Sequence, residues 1–193
     1  MSDLISAPKP SVCAHGGGAM AVARKLALPM ADLASADALL ITVSATTGIS
    51  PEGIDIWNEA RELYIPSIVV VDELEASETD FDDMIPIIGR LLEPVVNPFL
   101  ILHDDAGKPT ALIDLDSLDV IDYSNGRREV RASDPEHKVL VFEFRKEYLE
   151  ALDAAGESAF EAALLYPAIP YLEQINLGEA EIKSYLDRLP VRG

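Results

Sequence analysis

The sequence predicts an α/β fold in two parts, a small parallel sheet with helices over residues 1–95 and an α+β half over residues 96–193. Three observations predict it. The runs at 37–45 and 67–71 are almost continuously apolar, as strands covered on both faces must be, since alternation is lost when neither face meets water. Segments of helical period separate these runs, and right-handed crossovers place such strands in one parallel sheet. Beyond Glu93 the pattern changes to short strands, so the boundary falls within 93–98.

The first element is the short apolar strand at 11–15, followed by Gly16, Gly17 and Gly18 and an Ala, Leu and Lys run at 19–28 that reads as a helix. Pro29 ends it, because proline disfavours helical geometry in the residue before it. Ser50 caps and Pro51 opens the next helix, with Ile54, Trp57, Ala60 and Leu63 at helical spacing. After the strand at 67–71, Phe81, Met84, Ile85, Ile88 and Leu92 share one face of a helix at 80–92. Short strands follow at 99–103, 110–115, 119–123 and 129–132, and Ser124-Asn125-Gly126 marks a hairpin turn. A meander is expected. Segments 144–154, 158–165 and 178–189 read as helices.

Composition narrows the function. With 15 Lys and Arg against 34 Asp and Glu, the net charge of −19 opposes direct contact with nucleic acid or with an anionic membrane surface. Such charge suits solubility or a basic protein partner. The single cysteine, Cys13, rules out an internal disulfide and argues against a thiolate metal site. Residues 1–10 lack the basic and apolar regions of a secretory signal, and no apolar run reaches the roughly 20 residues of a membrane span, so a cytoplasmic location is expected.

Two ordered blocks carry a family resemblance. The first runs from Ala36-Asp37-Ala38-Leu39-Leu40-Ile41-Thr42-Val43-Ser44-Ala45 through Gly48 and Trp57 to Ile65-Pro66-Ser67-Ile68-Val69-Val70-Val71 and Asp80-Phe81-Asp82. The second has Ala111-Leu112-Ile113-Asp114-Leu115, then Tyr171-Leu172-Glu173 and Leu177-Gly178-Glu179-Ala180-Glu181-Ile182. In this order they resemble the G domain of elongation factor G, a translational GTPase, and its G-prime insert, over roughly four-fifths of the chain. The resemblance implies a truncated P-loop GTPase-like sheet with a G-prime-like α+β subdomain, and a link to translation.

The same resemblance implies positions for the nucleotide, and the residues there depart from the family. A phosphate loop needs glycines so that backbone N–H groups close on phosphate, a Lys to balance charge and a Ser or Thr for Mg2+. At the matching place stand Ala14, His15, Gly16, Gly17, Gly18, Ala19, Met20 and Ala21, with neither the cation nor the hydroxyl. Guanine recognition by N-K-x-D corresponds to Asp72-Glu73-Leu74-Glu75, where Asp72 and Glu73 put anions in place of an amide and a cation. Glu75 retains an acceptor for a base edge. The family's switch loop, two strands and D-x-x-G segment have no room in the eight residues between Leu28 and Asp37.

The expectation is therefore a non-catalytic relative of that domain, with no cofactor, working as a protein interaction module. The rival is a working GTPase domain that binds GTP and Mg2+ with help from residues elsewhere, favoured by Glu75 and the retained loop length. The family's last strand and its Ser-Ala motif should follow the insert, yet the chain ends at Gly193, which implies either a segment of a longer protein or a minimal chain. Loss of the flanking strands makes 11–15 a sheet edge, which predicts self-association or a packing helix there.

Other candidates have plainer readings. A bare helix N-terminus gives an anion only about 1 kcal/mol without a cation, so Gly16–Gly18 are expected to serve as an inherited tight turn, with His15 solvated beside it. Asp114, Asp116 and Asp119 do not make a calcium loop, because Asp119 falls where the required glycine should be and apolar residues alternate as in a strand. Asp104-Asp105-Ala106-Gly107 reads as a turn and Asp82-Asp83 as a solvated helix face. Cys13 reads as an inert core thiol and Trp57 as core, while His15, His103 and His137 are too scattered for a catalytic triad.

Overall fold

In a computed structural model, which describes residues 9–190, the first half alternates strands and helices. Strand β1 (Val12–His15), helix α1 (Gly17–Lys25), β2 (Ala38–Ser44), α2 (Pro51–Glu62), β3 (Ser67–Asp72) and α3 (Phe81–Leu91) follow in order. Four antiparallel strands come next, β4 (Phe99–His103), β5 (Pro109–Asp114), β6 (Asp119–Asp122) and β7 (Glu129–Ala132), paired in sequence order as the expected meander. Helices α4 (Pro135–Leu140) and α5 (Phe142–Ala155), strand β8 (Ala168–Pro170) and helix α6 (Glu179–Leu186) complete the described elements. The signal-sequence reading of 1–10 falls mostly on residues 1–8, outside the described residues.

The local signals explain most of these elements. All seven residues of β2 are buried, and the register Leu39↔Ser67 through Ser44↔Asp72 sets it in parallel with β3. Ser50 Oγ accepts the Gly53 N–H at 3.0 Å, and Pro51 stands at the first turn of α2, so both cap signals act where they were read. The β6–β7 turn closes with the Gly126 N–H on the Tyr123 carbonyl at 2.9 Å, and Gly126 takes a φ of 68°.

Three layers result. On one face of the parallel sheet Leu39, Ile41, Val69 and Val71 pack with Trp57 of α2, Met84 and Ile88 of α3, and Leu112 and Ile121 of the meander. On the other, Leu40, Ile68 and Val70 pack with Val22 of α1 and with Ile182, Tyr185 and Leu186 of α6. Strand β5 alternates, so Leu112 joins the first cluster while Ile113 meets Val141 and Tyr148 of the α4–α5 segment. Trp57 is fully buried, as expected, and the Arg61 guanidinium lies over both its ring and that of Tyr166, at 4.4 and 4.0 Å.

The structure departs from the sequence reading in three places. Residues 96–193 do not form one separate unit: β8 pairs in parallel with β3 through Val69↔Ala168, Val70↔Ile169 and Val71↔Pro170, making the sheet order β1-β2-β3-β8. A further parallel strand therefore does follow the meander. It was hidden because three residues flanked by Pro167 and ended by Pro170 carry no period and read as a breaker. Residues 158–165 form successive turns rather than a helix, with Ser158 and Ala163 at φ of 58° and 56°, both left-handed and incompatible with a continuing right-handed helix. Helix α4 was not foreseen, although Asp134-Pro135 is a helix-opening pair.

At the β1 edge residues 29–31, the first of the eight between Leu28 and Asp37, run parallel to the start of the strand, with Met30 opposite Val12. The Val12 N–H donates to the Pro29 carbonyl at 2.8 Å and the Ala31 N–H to the Val12 carbonyl at 2.9 Å, after which Leu33–Ser35 makes one 3-10 turn. The chain itself thus covers the start of this edge, in place of a helix. Among the described residues, no helix is long and apolar enough to cross a membrane.

Candidate functional site

Parallel strands deliver their C-terminal ends to one side of a sheet, and ligands of open α/β sheets enter the crevice there. In this chain that side carries the N-terminus of α1, the turn after Asp72 and the segment after β8. Between them lies a cleft of about 270 Å³ lined by Gly17, Gly18, Asp72, Glu75, Tyr171 and Glu173, among others.

The passage from β1 to α1 is abrupt. Only Gly16 separates strand from helix, so Ala14 and His15 are strand residues and Gly17 to Ala21 lie in the helix. The eight positions matched to a phosphate loop therefore form no wrapping loop. Gly16 takes a φ of 89°, and a Cβ on it would lie 2.6 Å from Thr42 Cβ, so the turn tolerates no side chain. His15 turns to the start of α2, with Nε2 3.3 Å from Ser50 Oγ, instead of standing free in solvent. Ala19 is fully buried, Ala21 is buried against the cleft and Met20 is 37% exposed.

Two donors of the first turn of α1, the Gly18 and Ala19 N–H groups, are occupied from within. The Ala19 N–H donates to Thr42 Oγ1 at 2.8 Å in a buried bond. The Gly18 N–H donates to the Asp72 carboxylate, and a Cβ on Gly18 would come 2.9 Å from Asp72 Oδ2, so a side chain there would displace that carboxylate. A carboxylate at a helix N-terminus is favoured by the macrodipole. Burial nonetheless pushes the Asp72 carboxyl up to about 6, with neighbouring Glu73 adding to the rise. Its Oδ1 is buried and makes no hydrogen bond.

The three acidic residues of the 72–75 run serve different places. Glu73, in the left-handed region at φ 57°, accepts from the hydroxyls of Ser44 and Thr46, which hold its carboxyl below the usual range. Glu75 is exposed at the cleft. Residues 171–174 supply the remaining wall, and they were not singled out as a site because they were read as part of the second half. Tyr171 is 3% exposed, lines the cleft, and has a hydroxyl without a hydrogen-bond partner. Burial raises its pKa, and Glu173 and Glu179 add to the shift. Nearby Lys25 is held away by Glu179 at 2.7 Å, Asn176 Oδ1 at 2.8 Å and the Glu173 carbonyl at 2.9 Å.

The other acidic candidates are local turns. Asp114 Oδ1 accepts the N–H groups of Asp116 and Ser117 at 2.8 and 3.3 Å, and Asp104 Oδ1 those of Ala106 and Lys108, both at 2.9 Å. Among the described residues, no group of three or more His, Cys, Asp or Glu side chains is arranged to hold a metal ion. Cys13 is half-buried rather than fully enclosed, and burial raises its thiol pKa.

No family model matches the chain. Among solved structures it is similar to the Thermus thermophilus protein ttk003000868, with a TM-score of 0.71 and 26% identity over 82% of this chain. The match covers 27% of that protein, so this chain spans roughly a quarter of its length.

Proposed function

We propose that this chain is a relative of the elongation factor G G domain that does not turn over GTP and works in the cytoplasm as a protein interaction module, within translation or beside it. One observation carries the proposal. Asp72 and Thr42 already accept from the Gly18 and Ala19 N–H groups at the N-terminus of α1, where a phosphate would need those donors. A phosphate arriving there would meet a carboxylate, with Met20 and Ala21 in place of the cation and the Mg2+ ligand. The order β1-β2-β3-β8 and the following α6 support the resemblance in fold.

Titration calorimetry of the chain with GTP and Mg2+ tests the proposal. The expected result is no heat of binding at about 100 µM nucleotide, well above the roughly 1 µM that a binding free energy near −8 kcal/mol requires. Phosphate release should not exceed that of buffer, with or without ribosomes. Tight, Mg2+-dependent binding would instead establish the rival, a working nucleotide site.

A further inference from the structure

The chain is acidic, and one stretch reverses the balance. Residues 127–146 carry six Lys and Arg against four Asp and Glu, in a chain whose net charge is −19. The same stretch holds α4 and the start of α5, where Val139, Leu140 and Phe142 are 77%, 73% and 61% exposed. Large apolar side chains exposed singly are ordinary, whereas three within four residues make a patch of the kind that marks interaction surfaces. Helical spacing continues it along α5. Leu149 follows Phe142 by two turns, and the two share a depression of about 360 Å³ with Arg145 and Lys146. Val141 and Tyr148 turn instead into the core with Ile113.

Unpaired cations flank these apolar residues. Among the described residues the ion pairs use Lys25, Arg128, Lys183 and Arg188, and none uses Arg131, Lys138 or Lys146. Arg131 borders the same layer: it pairs with Val120, which pairs with Ile113, and such partners share a sheet face, here the one that α4 and α5 cover. An occupant of complementary charge has an apolar seam with carboxylates beside it. An anionic membrane would hold the whole chain at its surface, bringing the acids outside this stretch within a Debye length of about 8 Å. A second copy would bring the same cations and a further −19. A single helix, about 10–12 Å across, touches the stripe alone and escapes both penalties. We infer that α4 and the first half of α5 bind an amphipathic helix of a protein partner, its apolar seam on Phe142 and Leu149 and its Asp or Glu side chains against Lys138 and Lys146. The inference rests on the proposal that the chain is an interaction module, and it gives the module a face and its partner a chemistry.

Titration of the full chain with a fluorescent helical peptide of about 18 residues, long enough to match α5, tests it at physiological salt. The peptide carries Leu at helical spacing and Glu at the flanking positions. Anisotropy should saturate, and amide shifts should move at Lys138, Phe142, Lys146 and Leu149. Phe142→Ser, whose side chain is mostly in solvent, should weaken binding about tenfold with an unchanged urea midpoint. Lys138→Glu combined with Lys146→Glu should weaken it as much, and should bind a peptide with Lys in place of Glu about tenfold more tightly than the parent chain does. Leu63→Ala, at an exposed apolar position just beyond α2, should leave affinity unchanged. Equal affinity for a scrambled peptide of the same composition, or equal losses in Leu63→Ala, would overturn the inference as non-specific adhesion. Preference for phosphatidylserine vesicles over the peptide would overturn it in favour of a membrane, and a two-chain mass abolished by Phe142→Ser in favour of a second copy. No peptide binding, with GTP also unbound, would overturn it while leaving the non-catalytic proposal intact. Binding of GTP and not of the peptide would overturn both.

Discussion

Asp72 shows how one atom's surroundings decide a residue's role. Its carboxylate accepts from Gly18, yet burial raises its pKa from 3.8 to about 6. A folded-state pKa above the unfolded value favours the protonated form, so this group supports folding below about pH 4 and loses that contribution as pH rises through about 6. At pH 7 the buried charge is therefore a net cost. Asp72→Asn keeps the shape and an acceptor for the Gly18 N–H but removes the charge. It should stabilise the chain at pH 7 by on the order of 1 kcal/mol, after discounting for partial exposure. The gain should vanish by pH 4. Urea unfolding midpoints of both proteins at the two pH values measure it, and a variant less stable at pH 7 would contradict the account. That position 72 carries an acid was legible in the sequence. Its contact with Gly18 was not, since the two lie 54 positions apart in the chain.

Between elements, the parallel sheet and the meander are tied by a buried polar link. Glu181, at the start of α6 and 2% exposed, accepts from the Tyr123 hydroxyl at 2.6 Å and from Arg128 Nε at 3.1 Å. Burial and the adjacent Glu181 carboxylate raise the Tyr123 pKa, so the phenol remains a donor. Removing Glu181 leaves the buried Tyr123 hydroxyl unpaired, while Arg128 can still reach water. Glu181→Ala should lower stability by about 3 kcal/mol, read from urea unfolding, whereas Arg128→Ala, with its more exposed side chain, should cost far less. Equal losses would show that the bond to Arg128 matters as much as the one to Tyr123. The helices and strands joined here were mostly predicted from period and turn residues. Strand β8 was not, because a tripeptide between prolines becomes a strand only when β3 offers its edge.

At the scale of the whole molecule, charge and edge oppose each other. Strand β1 ends the parallel sheet, and residues 29–31 cover only the Val12 end of it. An uncovered strand end invites pairing, but two copies each carrying −19 repel. Self-association at β1, which we propose as one contact of the module, should therefore appear as salt screens the repulsion. Light scattering should give a mass that rises from one chain at 20 mM NaCl towards two at 500 mM, where the Debye length falls to about 4 Å. A single-chain mass at every salt concentration would remove the proposal.

By itself the sequence determined the alternation of strands and helices, the meander, the capped start of α2, the burial of Trp57, the acidic composition and the apolar Met20 and Ala21 after the glycines. These follow from side-chain chemistry at short range, where period, caps and charge act within a few residues. Only the tertiary structure decided that β8 joins the sheet, that the turn expected at the glycines narrows to Gly16 while Gly17 and Gly18 enter α1, and that Asp72 reaches the α1 terminus while Tyr171 and Glu173 complete the cleft. Each of these depends on segments far apart in the chain meeting at one sheet edge, and no local pattern encodes that meeting.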